Sequence, residues 1–274
     1  THQVFEPEEL PWPELGPVDL ARMRAFPFWS YARSIEQRAG RMVSAFAQTL
    51  EDPVIREAVA LQGVEETRHG RLMSHVLERY RIDVPELAIG DPPARKDDFC
   101  IFGFGECSDS FVGFGAFAIA REKNFLPESL TRIFENVLWE EARHIVFFIN
   151  WWRYEEARLG HGLLQRTAEA VRYHVRAITG TAQGAADIPQ VPAKLDDPEL
   201  DAIVKSVTPA HFLAAALKEN RRMMSRIDPR LVTPELVPTA ALVLLTGLRL
   251  LPPRRAPVTA LGGPQPVVAE RSAA

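Results

Sequence analysis

Apolar positions recur three and four residues apart along most of this chain, and that spacing predicts helices. The run WSYARSIEQRAGRMVSAFAQTL at 29–50 carries it first, giving a helix over about 28–50. Asp52 and Pro53 form a helix-start signal for a second, to about Tyr80, and these two should pair as a hairpin. The stretch RIDVPELAIGDPPARKDD then breaks the pattern with prolines and turn residues. Helical spacing returns over about 98–124 and 128–159, on either side of Leu126 and Pro127, and again over 161–180, 199–226 and 234–251. No alternating strand pattern stands out, so the expected class is all-α. Pro7, Pro11, Pro13, Pro17 and Pro27 predict an extended arm over 1–27, and residues 252–274 read as a disordered tail. The body divides into a four-helix bundle over 28–160 and additional helices over 161–251 that pack on it.

The proline-rich linker bears on topology. About 17 extended residues at about 3.3 Å each reach some 55 Å, more than the roughly 30 Å of a 20-residue helix. The linker can therefore cross a bundle from end to end. A bundle of two hairpins joined by one long crossover is a ferritin-like arrangement, whose core can hold metal with carboxylates and Glu-x-x-His pairs.

One five-residue frame occurs twice, as EETRH at 65–69 and EEARH at 140–144. Residues three apart share a helix face, so Glu66 with His69, and Glu141 with His144, can each aim a carboxylate and an imidazole at one point. Each of the other two bundle helices would add a carboxylate. The first offers Glu36; the third offers Glu106, with Asp109 as a rival one turn on. Chance pairing on a solvated, Glu- and Arg-rich face is the plainer reading. The shared frame, the alternate helices and a carboxylate upstream of each argue against it.

Together, Glu36, EETRH, Glu106 and EEARH resemble the ligand set of the ferritin-like di-iron carboxylate proteins over about 28–150. The doubled frame is most similar to the Asp-Glu-x-Arg-His pair of bacterial multicomponent monooxygenase hydroxylases, with Glu65 and Glu140 in place of Asp. The resemblance implies two iron ions held by Glu36, Glu66, His69, Glu106, Glu141 and His144, with manganese possible at one or both positions and dioxygen as co-substrate. It implies that Glu65 and Glu140 hold the outer nitrogens of the ligand histidines, with Arg68, Arg143 and Asp109 in the layer behind. This chain is far shorter than those hydroxylase subunits, so the similarity bears on site chemistry more than on substrate or partner. Met73 stands where the small subunits of class I ribonucleotide reductases carry a radical tyrosine, which disfavours radical storage.

Small residues line the ligand faces, among them Gly63, Gly70, Gly103 and Gly113. Either they permit close helix packing, or they open a cavity floored by Phe102, Phe134 and Phe148 for a small organic substrate. Trp139, Trp151, Trp152 and Tyr154 crowd the second frame, as core packing or as an electron path.

Composition narrows the function classes. A net charge of -4 and no basic clustering disfavour a nucleic-acid partner. The most apolar run, 236–251, is too short and interrupted to span a membrane. No basic-then-apolar leader opens the sequence, so the expected location is cytoplasmic. Cys100 and Cys107 lie about 10 Å apart along one helix, too far to bridge, and should stay reduced. The expected function is a di-iron oxygenase or oxidase acting on a small, partly apolar molecule. It would draw electrons from a reductase or ferredoxin, in a chain that could form a homodimer. The competing readings are an iron- or peroxide-handling protein (ferroxidase, peroxidase or manganese catalase) and a metal-free helical interaction scaffold.

Overall fold

The computed structural model describes residues 5–26, 29–86, 89–90, 94–186 and 198–250, and every regular element among them is helical. The tail at 252–274 lies outside the described residues. Four long helices make the body: α2 (Trp29–Ala47), α3 (Pro53–Arg79), α4 (Lys96–Glu122) and α5 (Glu128–Arg158). Asp52 caps α3 as the sequence indicates, its carboxylate accepting from the backbone N–H groups of Val54 (2.9 Å) and Ile55 (3.2 Å). The linker after α3 runs along α2 in the same direction: Arg33 donates to the Pro85 carbonyl and Arg41, two turns on, to that of Ile89. It therefore delivers the start of α4 to the end of α2, where Phe46 stacks on Phe99 at 4.4 Å.

Two expectations need correction. The N-terminal segment is not extended throughout: Pro7–Glu9 forms a 3₁₀ turn and Pro17–Ala25 a helix, α1. Proline at the first helical position costs no hydrogen bond and presets φ, so here it starts helices that the sequence reading took as broken. The segment lies along α3, Trp12 and Met23 packing with Leu72, Met73 and Val76. The helix expected over 199–226 is two, α7 (Pro198–Ser206) and α8 (Pro209–Met224). Thr208 caps α8, accepting from the His211 N–H, and Pro209 takes its first position. α6 (Leu163–Ala186) and α9 (Leu236–Leu250) complete the order. Among the described residues, no helix is long and apolar enough to cross a membrane.

α4 explains why the C-terminal helices are there. Its buried residues include Phe99, Cys100, Phe104, Cys107, Phe111, Phe114 and Ile119, too many for one stripe, so it needs cover on both sides. α6 covers its first half, Tyr173 packing on Phe104 and donating to Asp97 (2.6 Å). α8 covers its second half, where Gly115 lies against Phe212 and Ala216, and α9 packs on both.

Inside the bundle, two apolar clusters fill opposite ends. One gathers Val43, Phe46, Val59, Phe99, Phe104, Phe148 and Trp151; the other Trp29, Leu72, Val76, Leu130, Ile133 and Val137. Between them α2 and α3 approach closely. A Cβ added to Gly40 would meet the Thr67 backbone nitrogen at 2.9 Å, one on Gly63 the Ser44 nitrogen at 2.9 Å, and one on Gly70 the Gln37 side chain at 3.0 Å. Gly40→Ala and Gly63→Ala should each destabilise the chain by about 1 to 3 kcal/mol through overpacking. Thermal melts check this, at roughly 2 to 4 °C per kcal/mol for a chain of this size; unchanged melts would show that the helices have slack here.

Candidate metal centre

The polar residues of the bundle interior gather in the layer between the two apolar clusters. α3 contributes Glu65, Glu66, Arg68 and His69, and α5 contributes Glu140, Glu141 and His144, all buried. The periodicity of each helix turns Glu66 and His69, and Glu141 and His144, toward the common axis. His69 Nδ1 lies 3.0 Å from Glu141, 3.5 Å from Glu36 and 3.7 Å from Glu66. His144 Nδ1 lies 3.0 Å from Glu66 and 3.6 Å from Glu141. Glu66 and Glu141 thus face both rings, whose centroids are 5.9 Å apart. Glu36, Glu66, His69 and Glu141 each place one donor atom within 4.8 Å of the others.

The outer nitrogens are held from the opposite helix. His69 Nε2 donates to Glu140 at 2.8 Å and His144 Nε2 to Glu65 at 2.7 Å. An ionised carboxylate can only accept, so these bonds put a proton on each Nε2, and in the neutral ring the Nδ1 lone pair then faces the axis. Arg68 donates to Glu140 (2.6 Å) and Arg143 to Glu65 (3.0 Å), closing a crossed set of bonds between α3 and α5. The extra methylene of Glu over Asp therefore does not keep Glu65 and Glu140 from the histidines. Both Nδ1 atoms and Glu141 Oε2 are buried without a hydrogen-bond partner, which is what metal donors look like before they are filled.

Electrostatics give the same picture. Burial alone would lower each imidazole, but the facing carboxylates outweigh it and hold His69 and His144 well above the ordinary range. Burial raises Glu36 to about 7 and, with the charges of Glu141 and Glu66, raises Glu106 well above its usual value. For Glu66 and Glu141 burial also pushes upward, but the two histidines prevail and both are lowered. Six carboxylates, at 36, 65, 66, 106, 140 and 141, face two guanidinium groups, a formal charge of about −4 that a buried site must cancel. Two divalent cations would cancel it with neutral imidazoles; without them, the raised affinities of His69, His144, Glu36 and Glu106 for protons reduce it.

Glu106 lies within electrostatic reach of Glu36, Glu66 and Glu141, at the half-buried α4 side of the layer. Asp109 is more exposed, though the packing around its carboxyl and the Glu141 charge raise it to about 6. Among the described residues, the space expected beside three of the four glycines is taken by neighbouring atoms. Gly63 and Gly70 are occupied by α2, and a Cβ on Gly103 would run into the Phe148 ring. Gly113 has nothing nearby, and the expected floor is split, Phe102 and Phe148 belonging to one apolar cluster and Phe134 to the other. Gly63 and Gly70 serve the close approach of α2 and α3, while Gly103 makes room for the Phe148 ring. Sequence reading also missed Gln62, which donates to Glu66 Oε1 at 3.3 Å and lies one turn before it on the same face. It missed Phe5 as well, whose ring covers the Arg68 guanidinium at 4.4 Å.

No family model matches the chain, and no curated protein or solved structure matches it either. What is shown is therefore an all-α chain with a buried Glu/His group able to hold metal. Loading divalent ions should displace protons from the site, since metal and protons compete for the same donors. A pH-stat titration of the metal-free protein measures this. Uptake without proton release would mean that the ions sit elsewhere.

Proposed function

We propose that the chain is a ferritin-like di-iron protein that activates dioxygen, an oxygenase or oxidase for a small, partly apolar organic molecule. One observation carries the reading: two buried imidazoles aim unpartnered Nδ1 atoms at shared carboxylates while Glu140 and Glu65 hold their outer nitrogens. Helices α2 to α5, with their single long crossover, supply the frame such a site needs. Carboxylate oxygens and imidazole nitrogens suit iron or manganese, and affinity alone does not choose between them.

Glu36, Glu66, His69, Glu141 and His144 would hold the metal, with Glu106 at the α4 side of the layer. The chemistry that iron would supply at these residues, when bound, is reduction of dioxygen. The protein's own part is orientation and exclusion of water. Glu65 and Glu140 fix the imidazole tautomer, Arg68 and Arg143 fix those carboxylates, and the apolar clusters seal both ends of the layer. An electron donor such as a reductase or ferredoxin would complete an oxygenase cycle.

The closed glycine faces favour a second reading, a ferroxidase or peroxide-handling protein that needs no organic pocket. Anaerobic Fe(II) titration should give about two ions per chain, followed by dioxygen uptake on exposure to air. His69→Ala and His144→Ala should bind iron roughly 10- to 100-fold more weakly and lose the oxygen reaction while keeping their helical circular dichroism. Fewer than one tightly bound ion, unaffected by Glu66→Ala or Glu141→Ala, would falsify the metal reading.

A further inference from the structure

The two frames repeat at an offset of 75 residues, yet their surroundings differ. Beside His69, the outer bonds are closed over: Arg68 is buried under Phe5, and Ile133, Val137 and Leu72 fill the space between α3 and α5. The equivalent residues beside His144, by the same offset, are Ala58, Gln62 and Phe147. There the seam is open. A cleft of about 230 Å³ lies among Ala58, Leu61, Gln62, Glu65, Arg143, His144 and Phe147. A second, of about 400 Å³, shares Phe147 and continues past Ile55 and Trp151 toward Val54 and Tyr154. Asn150, on its wall, spends its amide on the Val232 backbone, accepting at 3.1 Å and donating at 2.8 Å, so the outer stretch is mainly apolar.

The inner end carries a polar group with unmet bonding. Gln62 is 5% exposed and its amide nitrogen donates to Glu66, which fixes the amide orientation because the reverse would set oxygen against carboxylate. Its Oε1 is then a buried acceptor with no donor, an arrangement that costs free energy until one arrives.

We propose that the α3–α5 seam binds a small apolar molecule whose one polar end donates a hydrogen bond, an O–H or N–H, to Gln62 Oε1. The body lies between Leu61 and Phe147 and extends toward Trp151. Gln62 in turn donates to Glu66, which links occupancy of the cleft to the Glu/His layer. The site goes beyond the di-iron reading and does not depend on it, since none of its contacts requires an ion.

Hexan-1-ol and its methyl ether, 1-methoxyhexane, separate the two halves of the proposal. Ligand-observed NMR titration of the metal-free chain gives both dissociation constants, while iron uptake is followed separately. The alcohol should bind at one site and the ether about tenfold more weakly, the effect of one unsatisfied buried acceptor. Gln62→Leu should erase that preference, and Ala58→Trp, which fills the cleft, should abolish binding of both. Should Ala58→Trp lose its helical circular dichroism, Leu61→Lys at the exposed rim carries the same test. Failure of the alcohol to bind, equal binding of alcohol and ether, or full-strength binding by a folded Ala58→Trp or Leu61→Lys variant overturns the proposal. A chain that takes up no iron but discriminates alcohol from ether leaves this site standing and removes only the metal reading.

Discussion

Placing four buried carboxylates and two half-buried ones in one layer is the constraint on which the rest of the structure depends. Unpaired, each would cost several kcal/mol on removal from water. The layer survives because it is closed on itself: Arg68 and Arg143 neutralise Glu140 and Glu65, and those hold His69 and His144. The remaining charge belongs to Glu36, Glu66, Glu106 and Glu141, and is cancelled by cations or protons. A motif that would be unstable as an isolated acidic cluster becomes a site because its counter-charges arrive from the opposite helix.

The apolar architecture serves that layer. Aromatic clusters above and below it keep water from screening the carboxylates and fix the height at which α3 and α5 meet. Close approach of α2 to α3 at Gly40 and Gly63 leaves little play in the helix that carries Glu66 and His69. Beyond the bundle, α6, α8 and α9 shield the outer face of α4. Arg222 ties α8 to α5 through Glu135 and lies over Trp139, next to the second frame. The C-terminal helices thus brace α4 and α5 from outside.

Much of the site was legible because helical periodicity is local. Once 53–79 and 128–158 are helices, Glu66 with His69 and Glu141 with His144 must share a face, whatever surrounds them. Glu36 followed from being the one carboxylate on its helix, whereas the third helix offered both Glu106 and Asp109 and the sequence did not separate them. Gln62 could have been found by looking one turn back from Glu66. The glycines were legible as unusual but ambiguous as to cause. A missing side chain leaves room, and the sequence does not say whether backbone or ligand takes it.

By itself, then, the sequence determined the all-α class, the long helices and which residues face the bundle axis, since these follow from spacing within single helices. The tertiary structure decided what depends on neighbours distant in the chain. Glu65 holds His144 and Glu140 holds His69 because α3 and α5 run in opposite directions at one height. α2 fills the space left by Gly63 and Gly70 because nothing larger holds the helices apart. Phe5 closes the His69 side while the His144 side stays open, because the N-terminal segment packs on only one of two nearly equivalent frames. Repetition in sequence sets equivalent chemistry, and packing at each copy sets which one solvent and ligands can reach.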